Sequence, residues 1–525
     1  MISNVISAEL HQLIHALSKS EKRFFKIYAS RFEGSASKKY LNLFDVIEKQ
    51  KVYDEELILK KNKLFTKKQF PNLKVHLYNQ VLKALSIVSA NSSTDIKLHY
   101  QIGQAQLLYN KCLYHQSMKI LEKAKKTATE NDRTILLLDI LELEKMIMIH
   151  TVSTRTQQRI DVITSESSQA SSSVRRTDTF SNLSLKMNAF YMNIGFVRNR
   201  NDYARVRQFF FDSLPAYKEN KLSFHDKLYL YYSYTGYFFF INDFQKGYFY
   251  AKRMVDLFEE HQNLIPNKIE MYIKSINNLL VAQNKLFLYS EFTETKKKLV
   301  AIKRYPAKLL NENINLNLFK AIYIHEINRH FMMGEFRSGT RIVSRLESEL
   351  NRFLPKLDRH TVLILYYKIA CLYFGSSNYT QSLKWLNKIL NTREDGLRED
   401  LYSASRIISL ICHFEAGNIE LLDYSIRSTY RFLLKKGHLN KYQQFIMKFL
   451  KELSEVTPRS LNKKFAALLE ELKPLELHPY ERRQFLYFDI ISWLESKLKN
   501  KAVELIIKEK FRKQLAAKEN SITVS

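Results

Sequence analysis

The most regular pattern in the chain is a long apolar run, a short polar turn and a second, amphipathic run. Residues 228–241 read LYLYYSYTGYFFFI, Asn242 and Asp243 follow, and Phe244 then precedes Gly247 by three residues. Both runs have helical length, so we expect two helices joined by a turn, with the aromatic side chains filling the core between them. The residue that follows each such turn, here called an anchor, recurs as Tyr114, Tyr203, Phe244, Phe287, Phe336, Tyr379 and Ile419.

The anchors recur at a nearly constant interval. Their successive spacings are 89, 41, 43, 49, 43 and 40 residues. Because 89 is about twice 44, we expect one further copy near Ile160. A period of roughly 20–50 residues indicates a repeat array, in which each unit buries its apolar face against its neighbours. Prolines that are expected to end second helices follow a similar interval: Pro215, Pro266, Pro306 and Pro355.

Small residues complete the pattern. They occur three positions after some anchors and nine positions before them, as in Ser117 and Ala105 or in Ser382 and Ala370. With the anchor and the proline, this pattern resembles the tetratricopeptide repeat (TPR), but with a period above 40 residues instead of about 34. The resemblance covers roughly residues 95–440. It implies an all-α fold, namely a right-handed α-solenoid of stacked antiparallel helix hairpins.

The chain is expected to consist of the repeat array and one helical region at each of its ends. Residues 1–92 are predicted to form a helical N-terminal cap domain, in which Ser18 and Glu21 match a helix capping box. Residues 93–440 hold the TPR-like repeats, and residues 441–525 supply C-terminal capping helices, because such arrays need a polar-faced end.

The most polar part of the chain is residues 151–182. It is either a hinge between two halves or the missing repeat with an exposed serine-rich face. We expect helix in its first part and a loosened turn around Ser171–Asp178.

Composition favours this helical interpretation. Only 11 glycines and 8 prolines occur in 525 residues, which leaves little material for hairpin turns. The three cysteines, Cys112, Cys371 and Cys412, are far apart and odd in number, so they indicate a reducing compartment instead of a disulfide framework. No signal peptide is evident, and the most apolar window is shorter than the roughly 20 residues of a membrane span. We therefore expect a cytoplasmic protein without a membrane span.

The formal charge of +30 is spread along the chain. Residues 1–100 carry 17 Lys and Arg against 9 Asp and Glu, and residues 421–525 carry 21 against 12. A nucleic-acid interface usually concentrates its basic residues on one element. Binding to nucleic acid or another anionic surface therefore remains an alternative and not the first expectation.

No catalytic, cofactor or metal signature is found in the sequence. It contains no GxGxxG, no GxxxxGK and no CxxC motif. His325 and His330 are five residues apart, which places them about 140° apart around a helix, so they cannot share one metal ion. His11 and His15 have a suitable spacing but lack the glutamate of a metalloprotease motif. We expect a protein that is not an enzyme.

The function expected from the resemblance is that of a protein–protein interaction scaffold. In the TPR-like register, first helices line a concave groove that takes an extended or helical partner segment. A mixture of aromatic and basic residues suits an acidic segment or a terminal carboxylate. The oligomeric state stays open. The expected groove-facing residues are Arg198, Tyr232, His325, Arg329, Tyr367 and Lys368.

Overall fold

A computed structural model describes most of the chain. It covers residues 2–523 except for these positions: 32–34, 63, 90–92, 152–155, 195, 198, 393–397, 436–439, 453–457 and 487. Helices account for 86% of the described residues, and none of these residues lies in a strand. The all-α expectation is therefore confirmed. The chain divides into two compact units, residues 1–174 and residues 175–525.

Unit 1 consists of helices throughout. Those described are α1 Ile2–Ala16, α2 Lys19–Ser30, α3 Ser35–Lys49, α4 Glu55–Lys61, α5 Phe70–Ser89, α6 Thr94–Asn110, α7 Tyr114–Glu130, α8 Thr134–His150 and α9 Thr156–Ile194, which contains the boundary between the units. The capping box expected at α2 is confirmed, because Ser18 Oγ accepts a hydrogen bond from the Glu21 amide and Glu21 Oε2 accepts one from the Ser18 amide. Phe25, Phe44 and Leu77 belong to a core shared by α1–α5.

Unit 2 continues the same pattern. Its remaining described α-helices are α10 Arg200–Ser213, α11 Phe224–Phe240, α12 Phe244–Glu260, α13 Ile269–Lys285, α14 Tyr289–Ala301, α15 Glu312–Met333, α16 Phe336–Phe353, α17 Arg359–Gly375, α18 Tyr379–Leu390, α19 Glu399–Glu415, α20 Ile419–Lys435, α21 Lys441–Glu452, α22 Pro458–Leu477, α23 Ile490–Leu498 and α24 Val503–Thr523. Successive helices pack on one another, and α13, α15, α17 and α19 also contact each other side by side. The unit is thus a stack of helices of the repeat type.

Several helix pairs are joined by the same tight connection. A residue with left-handed backbone lies two positions before the second helix of each pair; these residues are Cys112, Asn242, Phe287, Gly334, Ser377 and Gly417. The next amide reaches back to a carbonyl near the end of the first helix, as from Asp243 to Phe238 at 2.9 Å and from Asn378 to Tyr373 at 2.9 Å. This bond satisfies a carbonyl that the helix end would otherwise leave unpaired.

Most of the anchors mark the starts of second helices, but Tyr203 lies three residues after the start of α10 at Arg200. Tyr114, Phe244, Phe336, Tyr379 and Ile419 are each the first residue of α7, α12, α16, α18 and α20. The copy assigned to Phe287 is wrong by two residues. Phe287 itself has the left-handed backbone of the connection, and α14 begins at Tyr289.

The small residues of the pattern form a repeated contact inside the helix pairs. Ser117 Oγ donates to the Ala105 carbonyl at 2.8 Å, and Ser382 Oγ donates to the Ala370 carbonyl at 2.9 Å. All four residues are fully buried. The small side chains therefore both permit close helix approach and bridge the two backbones.

We expect Ser382→Ala to lower the free energy of unfolding by about 1 kcal/mol, because it removes one buried neutral hydrogen bond. Urea unfolding of the variant measures this loss. Ser376→Ala is a suitable control, since the Ser376 hydroxyl bonds only to the Tyr373 carbonyl within its own turn. Equal losses in the two variants would contradict a role for the Ser382 bridge.

The expected turn around Ser171–Asp178 is wrong, because α9 runs without interruption through this segment. Ile160, near which a further repeat turn was expected, lies inside the same helix, and residues 152–155 just before this helix lie outside the described residues. Ile163, Ser167 and Ala170 are buried at helical spacing, which gives the serine-rich sequence one packed face. Packing of this face outweighs the weak helix propensity of serine.

The C-terminal part of unit 2 returns along the helix pairs. We call residues 478–486 and 488–511 the return segment. Besides packing on α21 and α22, it contacts the ends of first helices and the connections that follow them. Arg482 donates to the Asn242 carbonyl at 2.8 Å, Phe488 packs on Phe374 at 4.8 Å between ring centroids, and Trp493 Nε1 donates to Glu415 at 2.6 Å.

The return segment also packs closely against Gly334. A Cβ atom on this residue would lie 2.7 Å from the Lys508 amide nitrogen and 2.9 Å from the Glu504 carbonyl oxygen. The C-terminal helices thus contact the stack along its length in addition to following its last pair.

Candidate functional site

A hydrogen-bonded series of polar side chains connects the first helices α13, α15 and α17. His325 Nε2 lies 3.0 Å from Asn277 Oδ1, and His325 Nδ1 lies 3.4 Å from Asn328 Nδ2. Lys368 Nζ then donates to Asn328 Oδ1 at 2.6 Å. One set of proton positions satisfies all three contacts, with the His325 proton on Nε2. This series of hydrogen bonds therefore fixes the orientation of the Lys368 ammonium group.

His325 is neutral in this arrangement. Burial lowers its pKa to about 3, and the positive charges of Lys368 and Lys296 act in the same direction. A neutral imidazole both donates to Asn277 and accepts from Asn328, which a protonated ring could not do. The residue is a structural link between the helices.

In two lysines, Lys368 of this series and its neighbour Lys285, the charged form of the ammonium group is disfavoured. Burial lowers the pKa of Lys285 to about 7, with a further contribution from the charge of Lys368, and burial lowers the pKa of Lys368 to about 8. Lys285 Nζ donates to the Leu486 carbonyl of the return segment at 3.3 Å. Both side chains remain partly exposed, and among the described residues neither forms an ion pair with a carboxylate.

The neighbouring charges are already paired. Glu326 accepts from Lys296 and from Arg329, the latter at 3.0 Å. Burial lowers the pKa of His330, which lies 3.6 Å from Glu326 and 3.6 Å from Glu335. We call Lys285, Lys296, Glu326, Arg329, His330, Glu335 and Lys368, together with His325, the α15 cluster. Lys285 and Lys368 are its two cations without a carboxylate partner.

The structure brings together three of the residues expected in the groove and separates the others. His325, Arg329 and Lys368 belong to the α15 cluster. Tyr232 lies on α11, partly exposed, with Lys274 Nζ 4.3 Å above its ring. Arg198 lies outside the described residues.

The expected exposure of His325 and Tyr367 is wrong. His325 is fully buried and Tyr367 is 5% exposed, within the core formed by the C-terminal half of unit 2. The cause is that α15 and α17 contact first helices on both sides, so that side chains directed at a neighbour are enclosed. These two side chains can position their neighbours, but a partner cannot touch them in this conformation.

Sequence reasoning missed Lys285, Asn277 and Asn328. A signal for the asparagines was present, since Asn328 is one helical turn after His325 on the same face. Lys285 gave no such signal, because a lysine in the last turn of a helix is an ordinary complement to the helix dipole.

Comparison of this chain with protein-family models, with curated proteins and with solved structures finds no match. Among the described helices, none combines the length and the apolar character needed to cross a membrane. Within the same residues, we find no group of three or more His, Cys, Asp or Glu side chains placed to hold a metal ion.

The neutrality of His325 predicts a pH dependence of stability. Its folded pKa of about 3 lies below the ordinary value of 6.5, so the unfolded chain binds an extra proton between these pH values. The free energy of unfolding should therefore fall as the pH falls from 6.5 towards 3, by up to about 1.4 kcal/mol per pH unit from this residue. Urea unfolding at several pH values should show a shallower decline for His325→Gln. An unchanged slope in this variant would mean that His325 protonates freely in the folded protein.

Proposed function

We propose that this chain is a non-enzymatic scaffold that binds an acidic segment of another protein across first helices α11, α13, α15 and α17. In this proposal the helix pairs are antiparallel hairpins of a right-handed, TPR-like solenoid. The observation that carries the proposal is the pair Lys285 and Lys368, which are partly exposed, positioned by neighbours and without a carboxylate partner among the described residues.

An anionic ligand would relieve an unfavourable state of the free protein. Removing an ammonium group from water raises its free energy, and a bound carboxylate or phosphate restores the missing interaction in a medium of reduced dielectric. Lys368 is already held by Asn328, so little side-chain freedom remains to be lost on binding. The site is therefore preorganised for binding an anion.

The arrangement also sets the length of the partner segment. Packed helices are about 9 Å apart, so three steps from α11 to α17 span about 27 Å. An extended chain advances about 3.3 Å per residue, which corresponds to about eight residues. The ring of Tyr232 beneath Lys274 and the ring of Phe331 beneath Lys368, at 5.4 Å, add aromatic surface along this path.

We expect Lys285→Met and Lys368→Met each to weaken binding of a fluorescein-labelled eight-residue peptide of alternating glutamate and glycine about tenfold. The reason is that each substitution removes one charge-assisted contact, which contributes about 1.5–3 kcal/mol, while nearly preserving side-chain volume. Fluorescence anisotropy with the full chain measures the affinity.

The matched control is Lys60→Met with Lys61→Met, which removes two exposed charges from α4. This double variant should bind the peptide as the unmodified protein does. If it loses as much affinity as the Lys285 and Lys368 variants, total charge and not position governs binding, and the proposal fails.

A second candidate function, binding of a nucleic-acid backbone, is favoured by one face of α2. Lys19, Lys22, Arg23 and Lys26 line a surface cavity of about 610 Å³ in which Glu48 is the sole acidic residue. Glu48 pairs with Lys22 at 3.2 Å and with Lys26 at 3.1 Å, whereas Lys19 and Arg23 are exposed and form no ion pair with any described residue. Phosphate groups are the natural partners of such a surface.

The α2 face predicts a salt-dependent interaction that two substitutions remove. Lys19→Glu with Arg23→Glu should lower the affinity for a single-stranded oligonucleotide and should reduce the slope of log affinity against log salt by about 1–2. Lys60→Glu with Lys61→Glu changes net charge equally and should leave both values nearly unchanged. Filter binding at several salt concentrations tests this, and equal effects of the two double variants would exclude a specific role for α2.

A further inference from the structure

With every lysine protonated, the α15 cluster carries an excess of two positive charges; the pKa of about 7 leaves Lys285 partly neutral in the free protein near pH 7, and a bound anion favours its charged form. Its cations are Lys285, Lys296, Arg329 and Lys368, and its anions are Glu326 and Glu335. Both histidines are neutral near pH 7, since burial lowers their pKa values. One carboxylate would leave one of these two charges uncompensated.

Glu504 of the return segment does not change this balance. Glu504 lies 2.7 Å from Lys508 and 3.6 Å from Arg337, so it is engaged outside the cluster. The contribution of the return segment to Lys285 is a neutral carbonyl, that of Leu486. Glu504 and the Leu486 carbonyl therefore leave the excess charge of the fully protonated cluster unchanged.

The hydrogen-bond capacity of the two lysines matches a group with several oxygens. Each ammonium group has three N–H donors. Lys285 uses one on the Leu486 carbonyl and Lys368 uses one on Asn328, and within the described part of the chain two donors are left on each. A phosphoryl group offers three terminal oxygens and nearly two negative charges, whereas a carboxylate offers two oxygens and one charge.

We infer that the α15 cluster recognises a phosphoryl group on the partner segment in preference to a carboxylate. This inference rests on the proposed function, because it specifies the anion that the same site binds. Lys285 and Lys368 contact the phosphoryl oxygens from either side of α15, while Arg329 and Lys296 stay paired with Glu326. Phosphorylation of the partner then switches binding on.

Three eight-residue peptides that differ only at the central position, with phosphoserine, glutamate or serine, test the inference by fluorescence anisotropy with the full chain. We expect the phosphoserine peptide to bind at least tenfold more tightly than the glutamate peptide, and the serine peptide to bind most weakly. Lys285→Met should reduce the preference for phosphoserine over glutamate to less than about threefold, whereas Lys285→Arg, which keeps the charge, should retain most of it.

Four results decide between the ideas. If glutamate binds as tightly as phosphoserine and both need Lys285 and Lys368, the phosphoryl inference is wrong and the proposed function stands. If none of the peptides binds, both are wrong. If inorganic phosphate alone binds as tightly as the phosphopeptide, the ligand is a free anion and the partner segment is not recognised. A phosphoserine preference that Lys285→Met leaves intact would place recognition elsewhere and overturn the inference.

Discussion

Gly334→Ala should lower the free energy of unfolding by about 3 kcal/mol. Gly334 has a φ of +66°, a backbone conformation that costs a residue with a Cβ atom about 1–2 kcal/mol. The added methyl group would also lie 2.7 Å from the Lys508 nitrogen and 2.9 Å from the Glu504 oxygen. Both are backbone atoms, so no side-chain rotation relieves the clash. Overpacking of this kind costs a further amount of about 1–3 kcal/mol.

Gly417→Ala separates the two causes. Gly417 has a φ of +72°, but a Cβ atom there would meet no other atom within 4 Å. This variant should lose only the conformational part, about 1–2 kcal/mol. Urea unfolding of both variants provides the comparison. Equal losses of unfolding free energy in the two variants would show that the return segment does not pack closely against the α15–α16 connection.

Lys285→Met should stabilise the protein at neutral pH, by about 2 kcal/mol. The pKa of Lys285 is about 7 in the folded state, against an ordinary value of 10.5. The folded state therefore holds the charge at a cost that is fully present below pH 7 and disappears as the pH rises towards 10.5. The full shift would correspond to more than 4 kcal/mol, and the partial exposure of the Lys285 residue reduces this cost.

Two comparisons make this result specific. The difference between Lys285→Met and the unmodified protein should shrink steadily between about pH 7 and pH 10.5, because the stability of the unmodified protein rises with pH over this range. Lys274→Met, on the same helix, should destabilise slightly, because it removes the cation above the Tyr232 ring. Destabilisation by Lys285→Met at neutral pH would contradict the view that this charge is kept for binding and not for stability.

The features that were predicted correctly from the sequence are local ones. Anchors such as Phe336 and Tyr379 identify helix starts because the tight connection before them involves only a few consecutive residues. The error at Phe287 has a local cause as well. Phe287 and Tyr289 are both large and aromatic, and a phenylalanine is an unusual choice for left-handed backbone, so the sequence favours the wrong one of the two.

The features that escaped prediction depend on distant residues. The position of Lys285 becomes notable only through Leu486, which is 201 residues away, and through Lys368 on another helix. His325 and Tyr367 were assigned to a surface because a single helix pair has a free face. In the stack this face is covered by the next first helix, and no periodicity within one repeat reports how completely.

The return segment changes how unit 2 can acquire its structure. In an array held together by neighbouring pairs alone, each pair could fold as soon as it left the ribosome. Here the carbonyls of Phe196 and Asn242 accept hydrogen bonds from Arg483 and Arg482, which are synthesised 287 and 240 residues later. The helix pairs translated first therefore lack these contacts with the return segment until most of unit 2 has been translated. Contacts of such high sequence separation slow folding, and they make the unit melt as one body where a simple array would fray from its ends.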